Sequence, residues 1–289
     1  MKFGIAFANT LTFAGREGLT ELGRTAEKVG FDSVWTVEHV VYPEGYESTY
    51  PYAKSGKMPG DSSAPVPDPL VWLSFVAAAT DTLLLGTGIL ILPQRNPLVL
   101  AKEAATLDWL SGGRLQLGIG VGWLEEEFDA LGVPFAERGV RTDEYVDVLR
   151  AMWSGDSVSY DGSFTSFESL TANPKPVNGA IPIHVGGHSR AAAERAGRLG
   201  DGFFPAKGDT AELVDVVRQT AADNGRDPAA IEVTAGSAAI FGDDPAAAVE
   251  ELAAAGADRA IIPAFLFFND TADTMADFAA RVIEPTADL

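Results

Sequence analysis

The sequence predicts an α/β protein folded as a (β/α)8 barrel, and three observations indicate this. Eight short apolar runs alternate with helical segments, and the 289 residues exceed the roughly 250 that such a barrel needs. The runs are apolar at consecutive positions, as expected for parallel strands covered on both faces. An open doubly wound sheet is the alternative. The predicted strands are 3–8, 33–37, 83–91, 114–119, 181–185, 201–204, 231–240 and 258–264.

Helix signals fill the intervals between the strands. In residues 16–29 the apolar side chains share one face, and Gly30 marks the expected end. An N-cap residue followed by a proline predicts three further helix starts, at Asp68-Pro69, Asn96-Pro97 and Asp244-Pro245. Ser111-Gly112-Gly113 closes the helix that begins at Pro97.

Two intervals between strands are longer than one helix requires. Residues 41–67 follow the second strand, and residues at about 155–180 precede the fifth. The later segment contains VSYDGSFTSF, where an Asp-Gly turn between alternating residues predicts a small hairpin. No segment has the composition of a linker, so residues 1–289 are predicted to form a single domain.

Charge and cysteine content exclude several classes of function. The 41 acidic and 21 basic residues give a net charge of −20, which disfavours binding to nucleic acid or to a membrane surface. The absence of cysteine excludes a disulfide scaffold, a thiolate zinc site, an iron–sulfur cluster and a cysteine nucleophile. With three histidines in the chain, no metal site is predicted. The sequence shows no targeting or membrane-spanning segment, so we expect a cytoplasmic protein.

The residues that follow each strand are the candidates for an active site, because barrel enzymes place their catalytic groups there. Glu38-His39 follows the second strand and puts a carboxylate beside an imidazole. His39 is the candidate proton donor or acceptor, and the alternative is a rim histidine that fixes a loop. Adjacent strand residues face opposite sides, so Glu38 and His39 need not act together.

The long 41–67 segment adjoins this position and is unusually aromatic. It holds four of the six tyrosines and five of the 17 prolines. We interpret it as a lid or pocket wall, because long structureless loops in compact domains are usually functional. A surface loop anchored by its tyrosines, which are Tyr42, Tyr46, Tyr50 and Tyr52, is the alternative.

Two glycine-rich turns also lie on the rim. Gly186-Gly187-His188-Ser189 joins the fifth strand to a helix, where backbone N–H groups can bind an anion, with Arg190 and Lys207 adding charge. A tight turn with Ser189 as N-cap fits equally well. The glycines of the fourth-strand turn, 118–122, lack the third glycine of a dinucleotide fingerprint but let a flat ligand approach the backbone.

Three other polar features have simpler interpretations. Glu125, Glu126 and Glu127 are expected to form a solvated first helical turn. Asp243-Asp244 is expected to cap the helix at 245 rather than bind metal. His184 lies inside the fifth strand, where it is either a core histidine or a site residue.

Four segments carry a family resemblance. The sequences GFDSVWTVEHV, GTGILILPQRNPLVLAKEAATLDWL, GGRLQLGIGVGWLEEEF and ERGVRTDEYVDVLRAMW begin at residues 30, 86, 112 and 137. They resemble the luciferase-like monooxygenase superfamily and, within it, the F420-dependent oxidoreductases. The resemblance extends from residue 1 to about 206 and fades over the last third of the chain.

The resemblance implies a TIM barrel, a homodimer, and coenzyme F420 or alternatively FMN at the carboxyl rim. It implies a cis peptide between Gly88 and Ile89, and a catalytic role for His39 and Glu38, which replaces the Asp found in relatives. The cofactor would contact His39, Gly88, Ile89, Gly120, Gly122, Val185, Gly186, Gly187, His188 and Ser189. Trp123 stands where sugar-phosphate dehydrogenases of the family carry a catalytic Glu, which argues against that activity.

Four functions follow as hypotheses. The first is hydride transfer between F420 and a small organic substrate. The second is monooxygenation with reduced FMN and oxygen, and the third is a non-catalytic carrier of flavin or deazaflavin. The fourth sets the resemblance aside: a lyase or isomerase that holds a sugar phosphate at residues 186–189.

Overall fold

The computed structural model describes residues 1–205 and 207–289. Its parallel strands form a closed eight-stranded barrel, in which Leu84–Thr87 and Leu90–Ile91 together make one of the eight strands. The strands are β1 (Lys2–Ala6), β2 (Ser33–Thr36), β3 (Leu84–Thr87), β4 (Leu90–Ile91), β5 (Leu115–Gly120), β6 (Val158–Asp161), β7 (Ser166–Leu170), β8 (Ile183–Gly186), β9 (Gly202–Phe204), β10 (Glu232–Ala235) and β11 (Arg259–Pro263). The helices are α1 (Arg16–Val29), α2 (Pro69–Ala79), α3 (Pro97–Ser111), α4 (Glu125–Ala130), α5 (Arg138–Ser154), α6 (Arg190–Leu199), α7 (Thr210–Asp223), α8 (Pro245–Ala254) and α9 (Thr271–Phe278).

The order of strands around the barrel confirms the predicted fold class. β1 pairs with β2 on one side and with β11 on the other, and the pairing continues through β3, β5, β8, β9 and β10 back to β11. The contact of β3 with β5, in which Leu85 aligns with Leu115, closes the ring. An open doubly wound sheet is thereby excluded, and the eight predicted strands match this barrel, with β3 and β4 sharing the third.

The predicted caps lie at the ends of their helices. The carboxylate of Asp68 and the amide oxygen of Asn96 each accept two backbone N–H groups from the first turns of α2 and α3. Asp244 caps α8, as expected. Gly30 and Gly112 end α1 and α3 with φ of +96° and +75°, in the left-handed region that favours glycine.

Both predicted insertions are present. Within the described residues, 41–67 contains turns and bends but neither a helix nor a strand, and it lies between β2 and α2. The second insertion contains the antiparallel hairpin of β6 and β7, with the Asp-Gly turn at its tip. The barrel therefore carries one loop at its carboxyl rim and one hairpin before β8.

The predicted cis peptide between Gly88 and Ile89 is wrong. In the described part of the chain the cis peptide bonds comprise Asn173–Pro174 alone. The third strand does break here, between β3 and β4. A Cβ at Gly88 would lie 2.3 Å from the carbonyl oxygen of Thr36. Because glycine has no Cβ, the chain can pass this close to Thr36. The Gly88–Ile89 peptide has the trans form, which non-prolyl bonds favour by about 2.5–4 kcal/mol.

Large side chains facing glycines fill the barrel interior. A Cβ at Gly86 would lie 2.3 Å from the Trp35 ring, and one at Gly202 would lie 2.0 Å from Nδ1 of His184. The Trp35 and His184 rings meet edge to face at 5.2 Å, and Nε2 of His184 lies 2.9 Å from Oε1 of Gln116. Burial lowers the pKa of His184 to about 4. His184 is therefore a neutral core histidine.

An arginine closes the opposite, amino-terminal end of the barrel. The Arg259 side chain is 1% exposed, and its Nη2 lies 2.8 Å from Oδ2 of Asp32. Its Nη1 donates to Glu232 and, at 3.1 Å, to Oγ1 of Thr234. The guanidinium also lies 5.3 Å from the centre of the Trp35 ring. One buried cation thus links β10, β11 and the start of β2.

Replacing Arg259 with methionine should lower the free energy of unfolding by about 3–5 kcal/mol, because Asp32 and Glu232 lose their buried partner. Urea denaturation at neutral pH measures the change. The control is Arg190→Met, which removes an exposed i,i+4 pair with Glu194 and should cost about 0.5 kcal/mol or less. Equal losses in the two variants would contradict a stabilising role for the Arg259 cluster.

Acid should weaken this cluster. Burial acts to raise the pKa of Glu232, but Arg259 and Lys2 outweigh it and hold the pKa below 4.5. A carboxylate whose pKa is lower in the folded than in the unfolded protein stabilises the fold at pH values above its unfolded-state pKa. That contribution is lost as the pH falls through the folded-state pKa. The difference in stability between the wild type and Arg259→Met should therefore shrink as the pH falls below about 4.5, measured by urea denaturation across pH.

Candidate functional site

The carboxyl ends of β2, β4, β5 and β8 bring most of the predicted site residues to one rim. His39 lies three residues after β2, Gly120 ends β5, and Gly186 ends β8. The pairing of β4 and β8 with β5 places these ends side by side. The rim is where barrel enzymes place catalytic groups.

His39 is fixed at this rim by a carboxylate. Its Nδ1 lies 3.1 Å from Oε2 of Glu127, and its ring meets the Trp123 ring edge to face at 5.9 Å. The His39 side chain keeps 16% of its surface exposed. Within the described residues, no hydrogen bond to Nε2 is found. One ring nitrogen is therefore held by the protein, and the other has no hydrogen-bond partner among the described residues.

Glu127 is a site residue that the sequence did not reveal. Its side chain is 2% exposed, and its Oε1 accepts the N–H groups of Val40 at 2.6 Å and Val41 at 3.2 Å. Burial acts to raise the pKa of Glu127, but His39 and the two N–H groups hold it below its usual value. Glu127 is thus a buried carboxylate that fixes both the His39 ring and the backbone after it.

Glu126 holds the same loop further along. Its Oε1 accepts the N–H groups of Glu47 at 2.6 Å and Ser48 at 3.0 Å. Although burial opposes the shift, bonds from Ser48 and from backbone N–H groups lower the pKa of Glu126 to about 2. The expected solvated turn is wrong for these two residues, and Glu125 alone of the three is exposed. Glu126 and Glu127 lie just after the glycine-rich turn that follows β5, and this position in the sequence was the one sign that they could belong to the site.

Glu38 lies apart from His39 in a separate ion pair. Its carboxylate accepts the N–H of Ile91 and, at 3.0 Å, Nε of Arg95. Arg95 in turn donates to Oδ2 of Asp68 at 2.7 Å. Burial raises the pKa of Glu38, and the Arg95 guanidinium opposes that shift. The structure therefore places Glu38 where it joins β2 to β4, and its catalytic role stays a prediction.

The aromatic loop packs over the rim. Trp123 meets Tyr46 at 5.6 Å and Tyr50 at 5.1 Å, between ring centres. Tyr52 continues the array, with Tyr50 at 5.2 Å on one side and His188 at 5.2 Å on the other. A row of edge-to-face rings thus extends from His39 to His188, and this arrangement fits a pocket wall better than an isolated surface loop.

The turn between β8 and α6 combines a helix N-terminus with a glycine of positive φ. The hydroxyl of Ser189 accepts the N–H of Ala192 at 3.2 Å and caps α6. Gly187 has φ +134°, and its N–H donates to the carbonyl of Phe204 at 3.2 Å. The Gly187 N–H is therefore engaged by the protein, and an anion would meet the N–H groups that follow it.

Of the two basic residues expected here, Lys207 lies at the turn. It donates to the carbonyl of Pro51 and lies 6.0 Å from the Tyr52 ring. Burial, followed by the Lys207 charge, lowers the pKa of His188. Arg190 is 76% exposed and pairs with Glu194 at 2.8 Å along α6. The local positive charge comes from Lys207.

Ile89 connects the remaining predicted positions. A Cβ at Gly120 would lie 2.6 Å from Cγ2 of Ile89, and one at Gly186 would lie 1.7 Å from its Cδ1. The Ile89 side chain therefore lies across two glycines from neighbouring strands. Gly122, with φ +81°, packs instead against Phe128 and Ile91.

Comparisons with known proteins show the family to which the chain belongs. The sequence model described as luciferase-like monooxygenase matches residues 1–284. Rv0940c of Mycobacterium tuberculosis, an uncharacterized protein, is 34% identical over 209 residues, which are 70% of this chain and 72% of that protein. The F420-dependent glucose-6-phosphate dehydrogenase of Kineococcus radiotolerans is 33% identical over 244 residues, which are 80% of this chain and 66% of the relative.

A solved structure shares the fold over nearly the whole chain. The coenzyme F420-dependent tetrahydromethanopterin reductase from Methanopyrus kandleri matches with a TM-score of 0.77 over 99% of each chain. The two sequences are 19% identical, so this match bears on the architecture alone.

Proposed function

We propose, from the premise that this chain belongs to the luciferase-like monooxygenase family of enzymes, that it transfers a hydride between coenzyme F420 and a small organic substrate. One observation carries the proposal: His39 stands on the barrel rim with Nδ1 held by Glu127, and within the described residues Nε2 has no hydrogen bond. A relative that is 33% identical is named as an F420-dependent dehydrogenase. This supports F420 as the cofactor.

The rim residues fit a flat ring that carries an anionic tail. Ile89, lying across Gly120 and Gly186, offers an apolar support for a ring. The N-terminus of α6 and the ammonium of Lys207 offer positive potential to a phosphate, in a protein whose net charge is −20. We assign the tail to residues 187–189 and the ring to the rim between Ile89 and His39.

The protein groups supply the proton transfer and the environment. F420, when bound, supplies a ring carbon that accepts or gives the hydride. Nε2 of His39 takes the proton of a substrate alcohol, or returns it to a carbonyl oxygen in the reverse direction. Trp123, Tyr50 and Tyr52 form an aromatic wall at the rim beside His39.

The surroundings of the rim favour a substrate with an apolar part. Phe7 and Phe265 follow β1 and β11, which pair with each other, and β1 also pairs with β2. The rings of Phe7 and Phe265 lie 6.3 Å apart. Both side chains are exposed, at 40% and 53%. Trp123 occupies the place of the catalytic Glu of the sugar-phosphate dehydrogenases, which weighs against a sugar phosphate as substrate.

Monooxygenation with reduced FMN is the second candidate, since the family that matches this chain is described as luciferase-like monooxygenase. The two reactions differ in their need for oxygen. In an anaerobic assay with a panel of secondary alcohols, we expect the absorbance of oxidised F420 to fall. Turnover that requires oxygen and reduced FMN, with none on F420, would overturn the proposal.

We also propose that the protein is a homodimer. The neighbouring helices α2 and α3 expose large apolar side chains, with Phe75 at 55%, Trp109 at 59% and Leu110 at 75%. A helix that is apolar on its exposed face gains stability when it is covered. Light scattering should give twice the chain mass of 30.4 kDa, and Leu110→Glu should lower it toward 30.4 kDa. A wild-type mass of one chain would refute the dimer.

No helix in the part of the chain that the structure describes has the length and apolar character needed to cross a membrane. The cytoplasmic location stays a prediction from the sequence.

A further inference from the structure

We propose that Glu127 is a positioning residue that holds the His39 imidazole in the tautomer with its proton on Nδ1, which leaves Nε2 as the proton acceptor at the barrel mouth. The tautomer follows from this chain's own contacts. The use of Nε2 as the base rests on the proposed function.

The geometry allows Glu127 a single orientation. Its Oε1 is bound by two backbone donors, the N–H groups of Val40 at 2.6 Å and Val41 at 3.2 Å. The carboxylate therefore cannot turn away without breaking both of these hydrogen bonds. Its Oε2 is held 3.1 Å from Nδ1 of His39.

The charge state of Glu127 then determines the position of the histidine proton. A carboxylate can only accept hydrogen bonds, so the atom facing it must donate. The side chain is 2% exposed, and the bonds from His39, Val41 and Val40 keep its pKa low in spite of burial. In a neutral imidazole only one nitrogen carries a proton, so the proton on Nδ1 leaves a lone pair on Nε2.

The remaining contacts hold the ring in place. Trp123 meets the His39 ring edge to face at 5.9 Å, and Trp123 is itself packed against Tyr46 and Tyr50. Hydrogen bonds to Glu127 fix Val40 and Val41, the two residues that follow His39. The ring is thus fixed by its own bond, by its neighbour and by the backbone that carries it.

Glu127→Gln tests the proposal with little change of shape. The two backbone N–H groups require the amide oxygen on their side, so the amide NH2 faces Nδ1 and donates to it. The His39 proton should therefore move from Nδ1 to Nε2. The matched control is Glu126→Gln, which removes the adjacent charge and touches the loop at Glu47 and Ser48 but not His39.

Nitrogen-15 NMR of the histidine rings measures the tautomer directly, because protonated and unprotonated ring nitrogens have separate shifts. The spectrum contains three histidines, and His39→Asn assigns the signal. At alkaline pH we expect Nδ1–H in the wild type and in Glu126→Gln, and Nε2–H in Glu127→Gln. Nε2–H or a mixture in the wild type, or an unchanged Nδ1–H in Glu127→Gln, would overturn the proposal.

This readout needs neither F420 nor substrate, so it separates the tautomer from the proposed function. If F420 supports turnover, Glu127→Gln should also lower kcat by about 10²-fold or more at an unchanged dissociation constant for F420. The expected tautomers together with no turnover on F420 would refute the proposed function alone. Should Glu127→Gln fail to fold, the wild-type spectrum alone still decides which nitrogen carries the proton.

Discussion

Replacing His39 with asparagine should lower kcat by about 10²–10⁴-fold, the range that a positioned general acid or base contributes. In the wild type, Nδ1 of His39 lies 3.1 Å from the Glu127 carboxylate. The asparagine amide can still donate a hydrogen bond to that carboxylate, so the contact between residue 39 and Glu127 is kept. What is lost is the second ring nitrogen and with it the proton transfer. Steady-state turnover at saturating F420 measures this loss.

The dissociation constant of F420 separates catalysis from binding. It should change little in His39→Asn. The contrasting variant is His188→Asn. The wild-type His188 ring lies at the β8–α6 turn against Tyr52. That variant should weaken F420 binding more than it lowers kcat. If His39→Asn instead abolished binding and left turnover at saturation unchanged, His39 would be a binding residue and the acid would lie elsewhere, with Tyr42, Tyr46 and Tyr50 the next candidates.

Gly187→Val should weaken F420 binding by about 10²-fold or more. Gly187 has φ +134°, and a Cβ there would lie 2.8 Å from Cβ of Ala192 in the first turn of α6. A side chain would therefore displace the turn from the helix N-terminus. Losing two charge-assisted hydrogen bonds, at about 1.5–3 kcal/mol each, accounts for the factor. Quenching of F420 fluorescence measures the dissociation constant.

The control for backbone strain is Gly225→Val. Gly225 also has positive φ, at +69°, and a Cβ there would meet nothing within 4 Å. Its substitution should cost about 1–2 kcal/mol of stability and leave F420 binding unchanged. Thermal unfolding shows whether each variant folds. A folded Gly187→Val with wild-type affinity would place the anionic tail elsewhere.

The fold could be predicted because its signals are local. Each barrel strand is a short apolar run, and helix starts are marked by residues such as Asp68 and Asn96 that cap their own first turn. These patterns depend on neighbours within a few positions along the chain. The third strand was predicted as continuous over 83–91, whereas the structure divides it at Gly88 and Ile89. The state of the peptide bond between these two residues was inferred from relatives and was wrong.

The site was predicted in part, because its contacts join distant segments. His39 and the turn at Gly187 follow strands, so their position on the rim could be inferred from order alone. The partner of His39 lies 88 residues further along, and three consecutive glutamates also occur on solvated helices. Likewise, sequence cannot show that Arg190 turns along α6 to Glu194 while Lys207 reaches Pro51.

Equilibrium binding of F420 and of FMN to the purified protein tests the central claim most directly. On titration with the protein, the fluorescence of F420 should be quenched until one F420 is bound per chain. FMN should bind at least about tenfold more weakly, a difference of about 1.4 kcal/mol in binding free energy. In the same assay Gly187→Val should bind F420 about 10²-fold or more weakly, and Gly225→Val should bind it as the wild type does. Tighter binding of FMN than of F420, or no saturable binding of F420 by the folded wild type, would contradict an F420-dependent oxidoreductase.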